Sequence, residues 1–263
     1  MTDNKKRIYL AGSFYDFRDK IISALPDFEF SDPRKKRQNS IAQVVEDDMK
    51  DAAECPVMLA CFPNGKSRGT MTYAEIGAAK AKGNYIIIAD ENEQTDYELN
   101  KIADVKFGKI DEAIEFLKDA TYEKSGNEIV KKSSGDGFRI FLATTPEYTK
   151  GLEKIAQNGK KIFTFKEMES IEDFGRMDLT AVHFPRGLKR NRQAIFVMGM
   201  SYSLGTPICM LDENPIIYPP LAGLARRIFT QKEPFIDYLN MLESQKIDDE
   251  AKVMYQLFEK YKS

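Results

Sequence analysis

The sequence predicts an α/β protein of two tandem, related units, each a parallel sheet with helices on both faces. Two observations predict it. Apolar runs of strand length alternate with stretches of helical spacing, and one segment of the chain occurs twice. Residues 60–92 and 182–214 align without a gap, 122 positions apart: Phe62 with Phe184, Gly77 with Gly199, Asn92 with Asn214. Each window opens on Phe-Pro-x-Gly, runs through a small-residue helical stretch and ends on Asp-Glu-Asn. Upstream, Arg7-Ile8-Tyr9-Leu10-Ala11 matches Arg139-Ile140-Phe141-Leu142-Ala143. A chain of 263 residues accommodates two units of ordinary domain size.

The elements follow in order. Ile8–Ala11 is a short apolar strand closed by the Gly12-Ser13 turn. Asp16–Leu25 has helical spacing, and Phe28–Phe30 is a second strand. A loop from Ser31 leads to a helix over about 40–53. Pro56–Phe62 reads as a buried strand, and Thr72–Lys82 as a helix whose Ala and Gly content suits close packing on a sheet. Gly83 stops it, as glycine does after a helix end. Tyr85–Ala89 is the next strand and Asp111–Lys118 the next helix. The polar stretch 122–137 reads as a linker between a first domain, 1–121, and a second, 138–263. The second domain repeats the order: strand Arg139–Ala143, helix 147–157, strands 161–165 and 179–184, helix 193–204, strand 207–211. After Phe235, the spacing of Tyr238, Leu242, Val253, Leu257 and Tyr261 predicts one or two amphipathic helices.

Composition narrows the class. With 42% hydrophobic and 30% charged residues, the chain is that of a soluble globular protein, and a formal net charge of −2 argues against a binder of polymeric nucleic acid. Three cysteines, none in a Cys-x-x-Cys pair, read as buried apolar side chains in a reducing cytoplasm rather than a disulfide framework. The polar start of the chain lacks a signal peptide's apolar region, and no run reaches the length of a membrane span. Gly12-Ser13 is not part of a dinucleotide-binding fingerprint. His183, the single histidine, reads as structural, and no ligand cluster calls for a metal or other cofactor.

The two copies differ in reactive groups. Tyr9 becomes Phe141, Asp48 becomes Ser170 and Glu75 becomes Val197, so a hydroxyl and two carboxyls disappear while the apolar frame persists. Ligands of open α/β sheets sit beyond the carboxyl ends of the strands. Glu75 is expected in the first turn of a helix at that edge, where a glutamate that merely complements the helix dipole is the competing reading. Tyr9 ends the first strand. Asp48 lies in the helix before the central strand, and Asp47 is an equally eligible carboxylate on composition.

Ile8-Tyr9-Leu10-Ala11-Gly12-Ser13, Asp48, and Thr72-Tyr73-Ala74-Glu75-Ile76-Gly77 running on to Gly83, in that order and spacing over about 90 residues, resemble the nucleoside 2-deoxyribosyltransferase superfamily, which includes the 2′-deoxynucleoside 5′-monophosphate N-glycosidases. The resemblance implies a flavodoxin-like doubly wound parallel sheet and assigns Glu75 as nucleophile, Tyr9 as the hydroxyl that holds it and Asp48 as acid/base. It implies transfer of 2-deoxyribose between bases of 2′-deoxynucleosides through a covalent glutamyl–sugar intermediate. Hydrolysis of 5′-monophosphates is the alternative, and a non-catalytic nucleotide sensor is a further one. Many of the transferases carry an Asp six residues before the nucleophile, where this chain has Gly69. Gly12, Ser13, Arg68 and Thr72 are candidate substrate contacts, Lys66 and Arg68 being candidate phosphate receivers. Asn100 is the candidate for a residue that the family supplies from a neighbouring subunit. The implied partner is a small nucleoside or nucleotide, with a homo-oligomer or an intramolecular pseudo-dimer both open.

Overall fold

The computed structural model describes residues 6–13, 16–92, 96–119, 127–132, 137–148, 152, 160–164, 168 and 170–242. The chain divides into two compact units, Met1–Glu128 and Ile129–Ser263. In the first, β1 (Lys6–Gly12), β2 (Phe28–Ser31), β3 (Val57–Phe62), β4 (Tyr85–Asp90) and β5 (Val105–Phe107) form a sheet in the order β2-β1-β3-β4-β5. Every pairing is parallel. This order is that of a flavodoxin-like doubly wound sheet, whose switch point lies between β1 and β3.

The pleat sends alternate side chains to opposite faces. Ile8 and Leu10 of β1, Leu59 and Cys61 of β3, and Ile87 and Ala89 of β4 pack with α1 (Phe17–Ala24) and α5 (Ile110–Asp119). Tyr9, Ala11, Met58 and Ala60 therefore face the other way, toward α2 (Ile41–Glu54) and α3 (Thr70–Ala81). Helix α3 is nearly all buried, with Ala74, Gly77, Ala78 and Ala81 letting its backbone approach the sheet. Ser40 starts α2 by accepting from the Gln43 amide at 3.1 Å. Helix α3 starts at Thr70, two residues before the expected position, so Glu75 lies in its second turn. The first turn contains no acidic residue, and the dipole-complementing reading of Glu75 lapses.

The second unit repeats the topology. Strands β6 (Arg139–Ala143), β7 (Lys161–Phe163), β8 (Leu179–Phe184), β9 (Ile208–Asp212) and β10 (Arg227–Phe229) order as β7-β6-β8-β9-β10, again all parallel. The spacing of 122 seen in the sequence window extends further in space. It relates α4 (Tyr97–Ile102) to α7 (Pro219–Leu224), β5 to β10, and α5 to α8 (Lys232–Met241), and it pairs α3 with α6 (Arg192–Ser203). Helix α4 and strands β5 and β10 are too short for periodicity to reveal. Among the described residues, where α2 precedes β3 a 3-10 turn, Ile171–Arg176, precedes β8. Ser170, aligned with Asp48, starts that 3-10 turn, whereas Asp48 lies within α2.

Of the stretch read as a linker, residues 129–132 belong to the second unit. Ile129 is buried, the Lys132 amide donates to Gly175 O at 2.7 Å, and Lys131 Nζ donates to Thr206 Oγ1 at 2.7 Å. Burial holds the Lys131 ammonium below its ordinary pKa. Most of the expected helix 147–157 and the segment carrying Val253, Leu257 and Tyr261 lie outside the described residues. Among the described residues, no helix is long and apolar enough to cross a membrane.

Candidate active site

Tyr9 from β1, Asp48 from α2 and Glu75 from α3 meet on the α2/α3 face of the first sheet. All three are buried. Burial is the largest influence on each, and the three act on one another. Glu75 is pushed up to about 8, by desolvation first and then by the Asp48 charge, against the pull of Arg18, Tyr9 and Lys36. Asp48 is raised by burial and by Asp47, with Lys36 and Gln38 opposing. The Tyr9 phenol is pushed far above its ordinary value by burial, Glu75 and Asp48. Two carboxyls so placed resist being ionised together.

Tyr9 and Glu75 face one another closely enough to couple, yet no hydrogen bond of normal geometry closes between them. Tyr9 Oη and Glu75 Oε2 are both buried without a hydrogen-bond partner. A buried polar atom without a partner costs about 1–3 kcal/mol, so two adjacent ones mark a place where something else supplies the bonds.

The surroundings set this geometry. Arg18 lies buried beneath the end of β1, donating to Leu10 O at 2.7 Å, Gly12 O at 2.6 Å and Asp32 Oδ1 at 3.1 Å. Arg34 links Asp32 to Asp19, at 2.8 Å and 2.7 Å, holding the Asp32 carboxyl below its ordinary range through hydrogen bonds that outweigh its burial. Two members of the basic run Arg34-Lys35-Lys36-Arg37 are held by acids. Arg34 is tied into this network, and Lys36 reaches Asp51 at 3.0 Å, Asp48 at 3.6 Å and the Asp47 carbonyl at 2.9 Å. Gln38 Nε2 donates to Asp48 Oδ1 and Asp47 Oδ2, both at 3.4 Å. The sequence carried no signal for Arg18, Lys36 or Gln38, because their partners are distant in the chain.

Gly12 and Ser13 lie at the end of β1. Gly12 has φ +128°, and a Cβ there would fall 2.5 Å from Cys61 O, so the close strand crossing requires glycine. Ser13 Oγ donates to Ser67 O at 3.1 Å. Thr72 is buried on α3, one turn before Glu75. Gly69 is the residue before α3 and offers no side-chain cap; a Cβ there would lie 3.0 Å from Thr72 Oγ1 and 3.3 Å from Ser13 Oγ. The Ser13 and Thr72 hydroxyls therefore both lie close beside Gly69 at the start of α3. The equivalent of Gly69 in the second unit is Asn191, whose side chain accepts from the amides of Gln193 at 2.8 Å and Ala194 at 3.4 Å.

Arg68 is committed elsewhere. Its guanidinium pairs with Asp90 at 2.8 Å and lies over the Phe62 ring. The same pair recurs in the second unit as Arg190 and Asp212 at 2.8 Å. In both units the Asn after the Asp-Glu pair donates to that Asp, as Asn92 does at 3.0 Å and Asn214 at 2.9 Å. A contact kept in the unit without the carboxyls closes the loops at the sheet edge. Lys66 is exposed. Asn100 lies on α4, and its side chain lies outside the described residues. His183 is buried, bonded to Thr144 Oγ1 at 3.1 Å and Glu213 Oε2 at 2.9 Å, and burial holds its pKa low. The described residues hold no cluster suited to a metal ion, and the three cysteines are buried and free.

No protein-family model matches the sequence, and no curated protein matches it. Among solved structures, the chain is similar to the CMP N-glycosidase of Clostridium botulinum, with 25% identity over 43% of this chain and 99% of that one, at a TM-score of 0.33. It is also similar to the catalytic subunit of cobaltochelatase from Mycobacterium tuberculosis, with 13% identity over 80% of this chain and 21% of that one, at a TM-score of 0.28. Likeness at these TM-scores bears on neither fold nor activity.

Proposed function

We propose that the first unit cleaves the N-glycosidic bond of 2′-deoxynucleoside 5′-monophosphates through Glu75. The observation that carries the reading is the pairing of two buried carboxyls with a phenol, where Glu75 Oε2 and Tyr9 Oη have no hydrogen-bond partner. The chemistry fits that inventory. Glycosidic cleavage passes through an oxocarbenium-like state, and charge building on the sugar favours the ionised form of a carboxylate beside it. The proton resting on Glu75 passes by way of Asp48 to the departing base. Glu75 then bonds to C1′ as the glycosidic electron pair leaves with the base nitrogen. Tyr9 orients the carboxylate. In the second half-reaction Asp48 takes a proton from water, which attacks C1′ and releases Glu75.

Gly69 supports the monophosphate as substrate. The amides at the start of α3 are left without a side-chain cap, a helix N-terminus attracts anions, and Ser13 and Thr72 place two hydroxyls beside Gly69. Transfer of the deoxyribosyl group to a second base uses the same first half-reaction and is the other outcome. Incubation of the protein with deoxynucleosides and their 5′-monophosphates, with and without free base, separates these readings. Free base with deoxyribose 5-phosphate is the expected result. New nucleoside establishes transfer instead, and binding without turnover establishes a sensor. Glu75→Ala abolishes either activity; substantial turnover in that variant removes Glu75 from the nucleophile's role.

A further inference from the structure

We infer that Lys36 is a positioning residue for Asp48: its ammonium fixes the acid's carboxyl and sets the pH range over which Asp48 relays a proton. This rests on the proposed glycosidic chemistry. The geometry is specific. Lys36 lies after the 3-10 turn Pro33–Lys35, outside the helix it serves, and reaches across to α2. It is anchored by the Asp47 carbonyl at 2.9 Å and Asp51 at 3.0 Å, which leaves its charge 3.6 Å from Asp48 Oδ1. At that separation Lys36 acts on Asp48 through its charge while its hydrogen bonds go to neighbours.

The other groups facing Asp48 cannot take over this task. From its own helix come Asp47 and Asp51, both acids, and from α3 comes Glu75, also an acid. Tyr9 of β1 is a neutral phenol. Gln38 is uncharged and bonds to both Asp47 and Asp48. Arg18 acts on Glu75 and is held by Asp32 and two carbonyls. Arg7 reaches Asp51 at 3.7 Å. Lys36 is therefore the cation that pairs with Asp48, and it also lowers the proton affinity of Glu75. Without Lys36, Asp51 keeps Arg7 and its bond from Ser31 Oγ, so the local fold retains its ties.

The test compares wild type with Lys36→Met and Lys36→Arg, reading kcat/KM on a deoxynucleoside 5′-monophosphate across pH and the 13C carboxyl titration of Asp48 in the ligand-free protein. Removing a cation raises the proton affinity of both carboxyls. Both limbs of the profile should move to higher pH by about one pH unit in Lys36→Met, given one partly exposed cation near 4 Å, and Lys36→Arg should restore them. The Asp48 titration should move the same way. Lower turnover with both limbs and the titration in place overturns the inference. A moved titration in a protein that turns over no deoxynucleotide sinks the glycosidic reading and leaves the role of Lys36 standing. Glu75-dependent turnover with nothing moved does the reverse. Lys36→Gln repeats the measurement if the Met variant does not fold.

Discussion

Replacing Glu75 with glutamine should make the protein more stable while destroying its activity, and the size of the gain follows from the site. The carboxyl titrates near 8 in the fold and near 4.5 when exposed. Below pH 4.5 the side chain is protonated in both states, and Glu and Gln are nearly equivalent. As pH rises through 4.5 the unfolded chain ionises and the folded protein does not, so wild type loses stability progressively until pH 8. At pH 7 the loss amounts to about 3 kcal/mol, and above pH 8 it levels off near 5 kcal/mol. Glu75→Gln has no such loss. Its advantage should therefore be close to zero at pH 4, reach about 3 kcal/mol at neutral pH, and move the unfolding midpoint of the first unit up by roughly 10 °C. Urea unfolding of both proteins at several pH values measures the difference. A variant less stable than wild type at pH 7, or an advantage that does not change between pH 4 and 8, refutes the picture of a desolvated, largely protonated carboxyl.

Three further outcomes follow from the same site. Tyr9→Phe removes a buried hydroxyl that has no partner, so stability should hold or rise by about 1 kcal/mol, while kcat falls roughly tenfold to a hundredfold as the bond to the ionised nucleophile is lost; a stability loss with kcat intact contradicts this. Gly69→Asn copies the cap of α6 onto α3: stability should change by only a few tenths of a kcal/mol, while KM for 5′-monophosphates rises at least about tenfold and that for unphosphorylated nucleosides stays within about twofold. Equal effects on both substrates, read by steady-state kinetics, remove the phosphate from the start of α3. Arg68→Met and Arg190→Met each leave a buried aspartate without its guanidinium and should cost roughly 2–4 kcal/mol, measured by thermal unfolding. Neither should raise KM in the fraction that remains folded.

Much of the architecture was legible because burial writes itself into the chain. β3 and β4 are unbroken apolar runs, α3 is a run of small residues, and the copying of 60–92 into 182–214 announced the second unit. Elements of three to six residues, such as β5, β10, α4 and α7, carry too few positions to show a period, and they became visible only through their place in the repeat. Tyr9, Asp48 and Glu75, the three residues proposed to react, were singled out by the pattern of what the second copy lost. Arg68 stood out only as a candidate phosphate receiver; its bond to Asp90 emerges from matching pairs across the copies, since Arg190 and Asp212 stand in the same repeated window. Lys36, Gln38 and Arg18 were illegible because each acts on groups brought near only by folding.

The second unit answers whether Tyr9, Asp48 and Glu75 are needed by the fold. It builds the same strand order without them, and each place they occupied is filled in a way that removes a cost. Phe141 stands for Tyr9 and packs its ring 4.4 Å from Phe174 of the 3-10 turn, an aromatic contact in place of a buried hydroxyl. Val197 stands for Glu75 and is fully buried. Asn191 satisfies two amides that Gly69 leaves open at the start of α3. The loop closure by Arg, Asp and Asn is untouched. The first unit therefore keeps, at three neighbouring places, groups that its own fold can replace with more stable ones. Unpartnered phenol and carboxylate oxygens and an uncapped helix start are each costs that the second unit avoids, and the proposed binding of a sugar with an anionic end gives all three a purpose.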